Sequence, residues 1–203
     1  MRKITIAQIK EALTVTVMET KLRQYRYLLN NIHQVDVSIN EEFQKVYCDF
    51  FQLRIEKKFH AGYFGYMNKH KRNEKLSFEK VLRQIYDMTE RVEASFASKL
   101  LSMVNPEMPV LDSHVLKKLC IEPIRYSADK EKRIQRSIVA YTAICMWYAD
   151  NTESDEVKKW INLFNKHYPE DKDRITDVKK IDLILWRLGA QILDEKKRAK
   201  KNK

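Results

Sequence analysis

Glycine and proline are scarce in this chain, whose 203 residues include only three Gly and four Pro. β-Sandwiches, barrels and dinucleotide-binding α/β folds need many tight turns and Gly-rich loops, whereas long helices with short connections need few. Hydrophobic residues make up 44% of the chain, enough for a packed core, which excludes a disordered protein. The sequence therefore predicts an all-α protein, a compact bundle of unequal helices.

Apolar residues at helical spacing, together with capping residues, predict roughly eight helices. The first is one long or broken helix after Thr5. Ser38 is followed three residues later by Glu41, the pattern of a capping box, and Ser77 and Thr176 are typical N-caps of later helices. The absence of an internal repeat or a sustained heptad favours a bundle over an array or a coiled coil, and a division into two lobes around a cleft stays open.

Two segments interrupt the helical pattern. Residues 60–66 contain Gly62 and Gly65 and precede a basic stretch, so we expect a mobile loop there. Pro106 and Pro109 end a short apolar helix over residues 94–104, because neither proline can continue a helix. Further helices are predicted over residues 130–149, 153–167 behind a Thr152 cap, and 177–193, where Trp186 should enter the core and Asp182 should be at the surface or pair with another helix.

Charge, cysteine usage and hydropathy indicate the domain limits and the cellular compartment of the protein. The net charge is +11, and six Lys and Arg follow Glu195, so we expect residues 1–195 to form a single helical domain of charge +5 and residues 196–203 a basic, disordered tail. Cys48, Cys120 and Cys145 are far apart in apolar surroundings, which predicts reduced core thiols. No apolar stretch approaches the roughly 18 residues of a membrane span and the N-terminus lacks a signal-peptide pattern, so a cytoplasmic protein without membrane association is expected.

The most informative stretch is residues 109–115, Pro-Val-Leu-Asp-Ser-His-Val. Asp112 is a good helix N-cap, and Leu111 and Leu116 are spaced for a hydrophobic staple across the helix start. This local interpretation accounts for every residue of the stretch and requires no function.

A longer stretch carries a resemblance to a known family. Residues 94–102 read ASFASKLLS and residues 109–119 read PVLDSHVLKKL. Together they resemble the catalytic core of the helix-hairpin-helix DNA glycosylases, and most closely the adenine glycosylase and endonuclease III branch. The resemblance implies a glycosylase-like core around residues 77–150, DNA as partner, and Asp112 as the catalytic carboxylate. Such a carboxylate stabilises the positive charge that develops on the sugar when an N-glycosidic bond breaks, or activates water against it.

The chain departs from this family at three places. No glycine lies between Gly65 and Gly189, and residues 88–95, where the phosphate-binding hairpin is expected, contain Glu90 and Glu93, so the hairpin is either degraded or replaced. The Schiff-base lysine of strand-cutting members falls on Ser95, which implies a monofunctional enzyme. No Cys follows Cys145, which excludes the iron–sulfur cluster of that branch.

Other candidate site residues are weaker. Lys99 lies one helical turn after Ser95 as a possible nucleophile, and His114 lies two residues after Asp112, where it would assist chemistry, bind phosphate or face solvent. Aromatic residues near 47–66 are more often core than base-stacking groups, and those on the expected loop are the better candidates. The residues predicted to contact nucleic acid are Tyr63, Tyr66, Lys69, Lys71, Arg72, Ser95 and Lys117.

The sequence thus predicts a monofunctional base-excision DNA glycosylase-like protein. The alternative is a non-catalytic nucleic-acid- or protein-binding module on the same helical fold. The five His show no metal-ligand spacing and no phosphate-binding Gly motif occurs, so neither a metal nor another cofactor is expected. The base removed, the choice between DNA and RNA, and the oligomeric state do not follow from the sequence.

Overall fold

The helices follow the apolar periodicity and the capping residues of the chain. The computed structural model describes the backbone of residues 4–201 and the side chains of residues 4–191. Residues 4–201 contain ten α-helices, a 3-10 helix at Pro169–Asp171 and no strand, so the predicted all-α class is confirmed. The α-helices are α1 Ile6–Leu13, α2 Thr16–Asn31, α3 Glu41–Phe51, α4 Lys57–His70, α5 Phe78–Thr89, α6 Ala94–Val104, α7 Ser113–Leu119, α8 Lys130–Asn151, α9 Asp155–His167 and α10 Asp177–Lys201.

The described residues form ten α-helices where roughly eight were predicted. The first predicted helix is two helices, because the chain breaks between Leu13 and Thr16. The expected loop at residues 60–66 is wrong, since it lies inside α4. A Cβ at Gly62 would lie 2.8 Å from the Met88 sulfur, so this glycine permits close packing of α4 against α5 and does not interrupt the helix.

The predicted N-caps have mixed outcomes. Ser77 and Thr176 are confirmed, because their hydroxyl oxygens accept hydrogen bonds from backbone N–H groups three residues later. Ser38 does not cap α3, because the Asp36 carboxylate accepts both its N–H and its O–H, and Asn40 caps the helix instead. Ser154, and not Thr152, caps α9.

Buried apolar side chains from Ile4 to Leu188 form one cluster, and the most extensive helix pairing in it is between α7 and α10. Gly189 makes this pairing possible, because a Cβ there would lie only 2.3 Å from the carbonyl oxygen of His114. The helix that begins at Asp112 is therefore held directly against α10.

The remaining expectations concern the thiols, the membrane and the tail. The three thiols are free, but the prediction of core cysteines is wrong for Cys120, which is exposed with a left-handed backbone (φ 57°) at the end of α7. No helix among the described residues has the length and apolar character to cross a membrane. The predicted tail, residues 196–203, begins within α10, and its side chains and last two residues lie outside the described part of the chain.

A candidate active site at the Lys99–Asp112 pair

Lys99 and Asp112 lie side by side although 12 residues separate them in the chain. The Lys99 Nζ is 3.4 Å from the Asp112 Oδ2, and the two side chains are only 8% and 17% exposed. The other carboxylate oxygen, Oδ1, accepts a 2.8 Å hydrogen bond from the backbone N–H of His114, which confirms Asp112 as the N-cap of α7. The same carboxylate thus caps a helix and faces a buried amine.

The segment that brings Asp112 to Lys99 is residues 105–112, which we call the strap. It begins where Pro106 ends the helical path of α6 and it returns along that helix. The Leu111 N–H donates to the Ser98 hydroxyl oxygen at 2.9 Å, which aligns the end of the strap with the residue preceding Lys99. Tyr141 on α8 donates its hydroxyl to the Pro109 carbonyl at 3.1 Å. The strap is therefore anchored before and after Val110.

Asp182 on α10 provides the third anchor of the strap. Of the two positions expected for it, the surface is wrong, and pairing with another helix is confirmed by the hydrogen bond from Tyr148 of α8. Asp182 is 4% exposed and accepts the Val110 N–H at 3.4 Å. Its carboxylate also accepts the Lys179 ammonium at 3.0 Å and the Tyr148 hydroxyl. Burial raises the pKa of Asp182, while Lys179 and Tyr148 oppose that shift. This buried group links α8, α10 and the strap.

Lys21 of α2 is a second buried amine at the site. Its Nζ donates to the Asp49 carbonyl at 2.8 Å and to the Phe50 carbonyl, two acceptors in the last turn of α3. The amine also lies over the Phe50 ring and the Trp186 ring, 5.4 and 5.5 Å from their centroids. Burial, and then the charge of Lys99, lower the pKa of Lys21 to about 8. Lys21, Lys99 and Asp112 therefore share this part of the core with the Lys179–Asp182 pair.

Burial also lowers the pKa of Lys99, and the neighbouring Asp112 carboxylate acts in the opposite direction. A lowered pKa increases the fraction of neutral amine, the form with a free electron pair. The arrangement therefore places an amine of lowered pKa and a carboxylate within one site.

The pair lies between two spaces. On the inner side is a small cavity of about 50 Å³ that Lys21, Phe50, Asp182 and Trp186 also line. On the outer side is an open cleft of about 650 Å³, lined by residues of α6, the start of α7, the segment after α7 and the first half of α8. Lys99 and Asp112 line both spaces, so a molecule in the cleft would meet them at the entrance to the cavity.

Three other sequence-predicted residues lie near this pair. Ser95 lines the cleft together with Lys99. The ring of His114 packs edge-on against Trp186, 6.4 Å between centroids, and its Nδ1 is buried without a hydrogen-bond partner among the described residues. Lys117 is exposed on α7 and lines neither the cavity nor the cleft. Of the three, only Ser95 belongs to the site.

The nucleic-acid contacts predicted around α4 lie elsewhere. Tyr63 is buried, and its hydroxyl is engaged with the Tyr47 hydroxyl and the Phe96 carbonyl, so its selection as a base-contacting residue was wrong. Tyr66 and Lys69 line a separate open depression. Lys71 donates to the Val35 carbonyl and Arg72 is exposed, and none of these residues lines the cleft.

Sequence reasoning missed Lys21 and misplaced Asp182, although both left a signal. Lys21 falls between Met18, Leu22 and Tyr25 on the apolar face of α2, and Asp182 interrupts an otherwise apolar run in α10. A charge at a core position of a helix is costly unless it is paired, and it is therefore a candidate for a site.

Similarity to known proteins is a second source of information about the chain. Comparisons of the chain with known protein families, with curated proteins and with solved structures found no match. Among the described residues no three His, Cys, Asp or Glu side chains are grouped to hold a metal ion. Fold and site together define an all-α protein with a buried lysine–aspartate pair at the base of an open cleft.

Proposed function

We propose that this chain is a base-excision enzyme of the helix-hairpin-helix glycosylase kind, which breaks the N-glycosidic bond of a DNA nucleotide at Lys99 and Asp112. One observation carries the proposal: the Lys99 amine and the Asp112 carboxylate are 3.4 Å apart at the junction of the cleft and the cavity. A target nucleotide taken out of its stack would place its sugar at this junction.

Asp112 supplies the electrostatic part of this chemistry. Positive charge develops on the sugar as the bond to the base breaks, and a nearby carboxylate stabilises it. The hydrogen bond from the His114 N–H fixes the orientation of the Asp112 carboxylate before any substrate arrives. Its position at the start of α7 therefore serves the helix and the reaction together.

Lys99 supplies a nucleophile, so the geometry favours amine participation over the monofunctional route expected from Ser95. Attack of the neutral amine on C1′ forms an N–C1′ bond as the bond to the base breaks, and the base leaves with the bonding electron pair and takes a proton from the nitrogen, which the attack has made positive. The nitrogen lone pair then expels the ring oxygen O4′, which takes a proton from water, and the product is an iminium ion whose positive charge Asp112 balances. The lowered pKa of Lys99 supports this role.

The helical hairpin upstream is consistent with this class of enzyme but modified. Helices α5 and α6 pack together across a four-residue turn, residues 90–93. Glu90 occupies a left-handed conformation there (φ 56°), a position that glycine usually takes. The Arg91 guanidinium in the same turn is paired with Glu56 at 2.8 Å. The turn thus retains a hairpin path without glycine, and its acidic side chains do not favour a phosphate.

A non-catalytic nucleic-acid-binding module on the same fold is the second candidate, and the size of the cavity favours it. The cavity of about 50 Å³ has room for about three to five waters, at about 10–15 Å³ for each. A purine needs more space, so its entry requires the side chain of Trp186 or Lys21 to move. Binding without base release would support this candidate.

The amine can be tested without knowing the base, because an abasic-site oligonucleotide presents the sugar aldehyde that Lys99 would attack. With borohydride present, the wild-type protein should form a stable covalent adduct, visible as a shifted band on a denaturing gel. Lys99→Met should lose the adduct. Lys117→Met removes the same charge from an exposed lysine outside the site and should keep it. Absence of adduct with the wild type, or persistence in Lys99→Met, would contradict the role of the amine.

Asp112 is tested by base release from a panel of oligonucleotides that carry oxidised, deaminated or mismatched bases. Asp112→Asn keeps the shape of the cap and should lower release from the accepted substrate by at least about a hundredfold. Thermal unfolding of the variant separates this loss from misfolding. Release at the wild-type rate by a folded Asp112→Asn protein would end the catalytic interpretation.

A further inference from the structure

The cleft beside Lys99 and Asp112 is asymmetric in charge. One side is formed by neutral residues, among them Gln52, Val92 and Phe96. The other side is formed by the segment after α7 and by α8, which contribute Arg125 and Arg133. Apart from Asp112 at the base, the lining contains no carboxylate, so an anionic chain in the cleft would be drawn towards the side with the arginines.

Arg133 lines the cleft and has no carboxylate partner among the described residues. Its guanidinium carbon lies 5.6 Å from the centre of the Tyr126 ring. Its Nε is buried and has no hydrogen-bond partner among the described residues. No carboxylate among the described residues lies within ion-pair distance of Arg133, whereas Arg26, Arg83 and Arg91 each have at least one. Arg133 is only partly buried and lines the cleft, so its guanidinium is available to a phosphate oxygen of a chain bound there.

The segment that carries Arg125 and Tyr126 is held to α8 by its backbone. The Arg136 Nη1 donates to the Arg125 carbonyl at 3.2 Å and to the Tyr126 carbonyl at 2.9 Å. The Arg125 side chain itself remains exposed, and its only ion pair within the described chain, to exposed Glu122, is long at 3.8 Å. Such a pair contributes little and is easily exchanged for a phosphate.

Tyr126 adds an aromatic surface next to these cations. Its side chain is 81% exposed, among the most exposed large hydrophobic residues of the described chain. An exposed aromatic ring beside arginine is the combination on which proteins stack the bases of unpaired nucleic-acid strands.

We propose that Arg125, Tyr126 and Arg133 form the strand-binding wall of this protein, which binds the phosphates and one unstacked base of a DNA segment adjoining Lys99 and Asp112. This inference rests on the proposed function and names the surface that would replace the phosphate-binding hairpin. The bound DNA is a locally unpaired strand, because Tyr126 needs an exposed base face.

The wall is tested by fluorescence anisotropy with a labelled single-stranded oligonucleotide that contains an abasic site, titrated at several salt concentrations. Arg125→Gln/Arg133→Gln should reduce the slope of log affinity against log salt by about 1.4, which is about 0.7 for each phosphate that is no longer bound. The matched control is Lys158→Gln/Lys159→Gln, which removes two charges from exposed positions of α9 outside the cleft and should leave the slope nearly unchanged. Tyr126→Ala should weaken binding roughly tenfold, and Tyr126→Phe should not.

The outcomes separate the wall from the proposed function. An unchanged slope in the Arg125/Arg133 variant, an equal loss in the control variant, or no binding by the wild-type protein would overturn the wall. Adduct formation by the wild type together with an unchanged slope would leave the function standing and the wall refuted. Loss of slope in a protein that neither releases a base nor forms an adduct would support the wall and refute the function. Melting temperatures of the variants establish that each compared protein is folded.

Discussion

Removing the charge of Asp182 should destabilise the protein more than most single substitutions. In Asp182→Asn one amide oxygen can still accept from Val110 and Tyr148, but the amide nitrogen replaces the oxygen that accepts the Lys179 ammonium at 3.0 Å. The Lys179 side chain is 1% exposed, so its charge would stay buried without a carboxylate. Breaking a buried pair in this way costs about 3–5 kcal/mol, a large part of the roughly 5–15 kcal/mol that keeps a domain folded.

The double variant Lys179→Met/Asp182→Asn shows whether the unpaired charge causes this loss. The methionine has a similar length and no charge, so the double variant should lose less than the sum of the two single losses, by about 1–3 kcal/mol. The double variant removes both buried charges together, so neither charge is left without a partner.

Urea unfolding at pH 7, followed by far-ultraviolet circular dichroism, measures these free energies. Comparison of the slopes against urea shows whether the variants expose similar surface on unfolding. A loss below about 1 kcal/mol in Asp182→Asn, or strictly additive losses in the double variant, would refute the account of Asp182 as a charge-paired anchor of the strap.

The other stability predictions concern two glycines and one lysine. Gly189→Ala should cost about 1–3 kcal/mol, because its Cβ would lie 2.3 Å from the His114 carbonyl oxygen. Gly65→Ala in α4, where no atom lies within 4 Å of the added Cβ, should stabilise by about 0.5–1 kcal/mol in the same urea assay. The pKa of Lys21 is lowered to about 8 from an ordinary 10.5, so between these pH values the unfolded chain holds a proton that the folded chain has released. Wild-type stability should therefore rise relative to Lys21→Met by up to about 1.4 kcal/mol per pH unit in that window, and parallel pH profiles would contradict the shift.

Local rules predicted the helices well where the signal lies within a few residues. Asp112, Ser77 and Thr176 cap the helices that they were expected to cap. The predictions for Ser38 and for the segment around Gly62 were wrong because they depend on other partners. Ser38 is hydrogen-bonded to Asp36 and is therefore not available as a cap. Gly62 lies inside a helix, where the side chain of Met88 from another helix packs against it. Capping patterns carry no information about such partners.

The candidate site was predictable in its carboxylate and not in its surroundings. Asp112 was selected by its motif, but Lys21 and Asp182 reach the site from helices far away in sequence. Pairwise contacts of this kind depend on how helices pack, and the apolar periodicity of one helix does not specify its neighbours. A buried charge on an apolar face was the one usable signal.

The position of Lys99 shows that the spacing of residues along α6 does not by itself determine which of them contacts Asp112. Lys99 lies one helical turn, about 6 Å, beyond Ser95, the position at which the resemblance expects a lysine. If Asp112 stood where it would meet an amine at residue 95, the amine of Lys99 would be out of its reach. The carboxylate is not fixed independently, because Ser98 binds the strap at Leu111 and so ties the position of Asp112 to the second turn of α6. The amine and the carboxylate therefore meet at 3.4 Å one turn along the helix. What matters for a pair of reacting groups is whether the elements that carry them are bound to each other, and here one buried serine hydroxyl makes that connection.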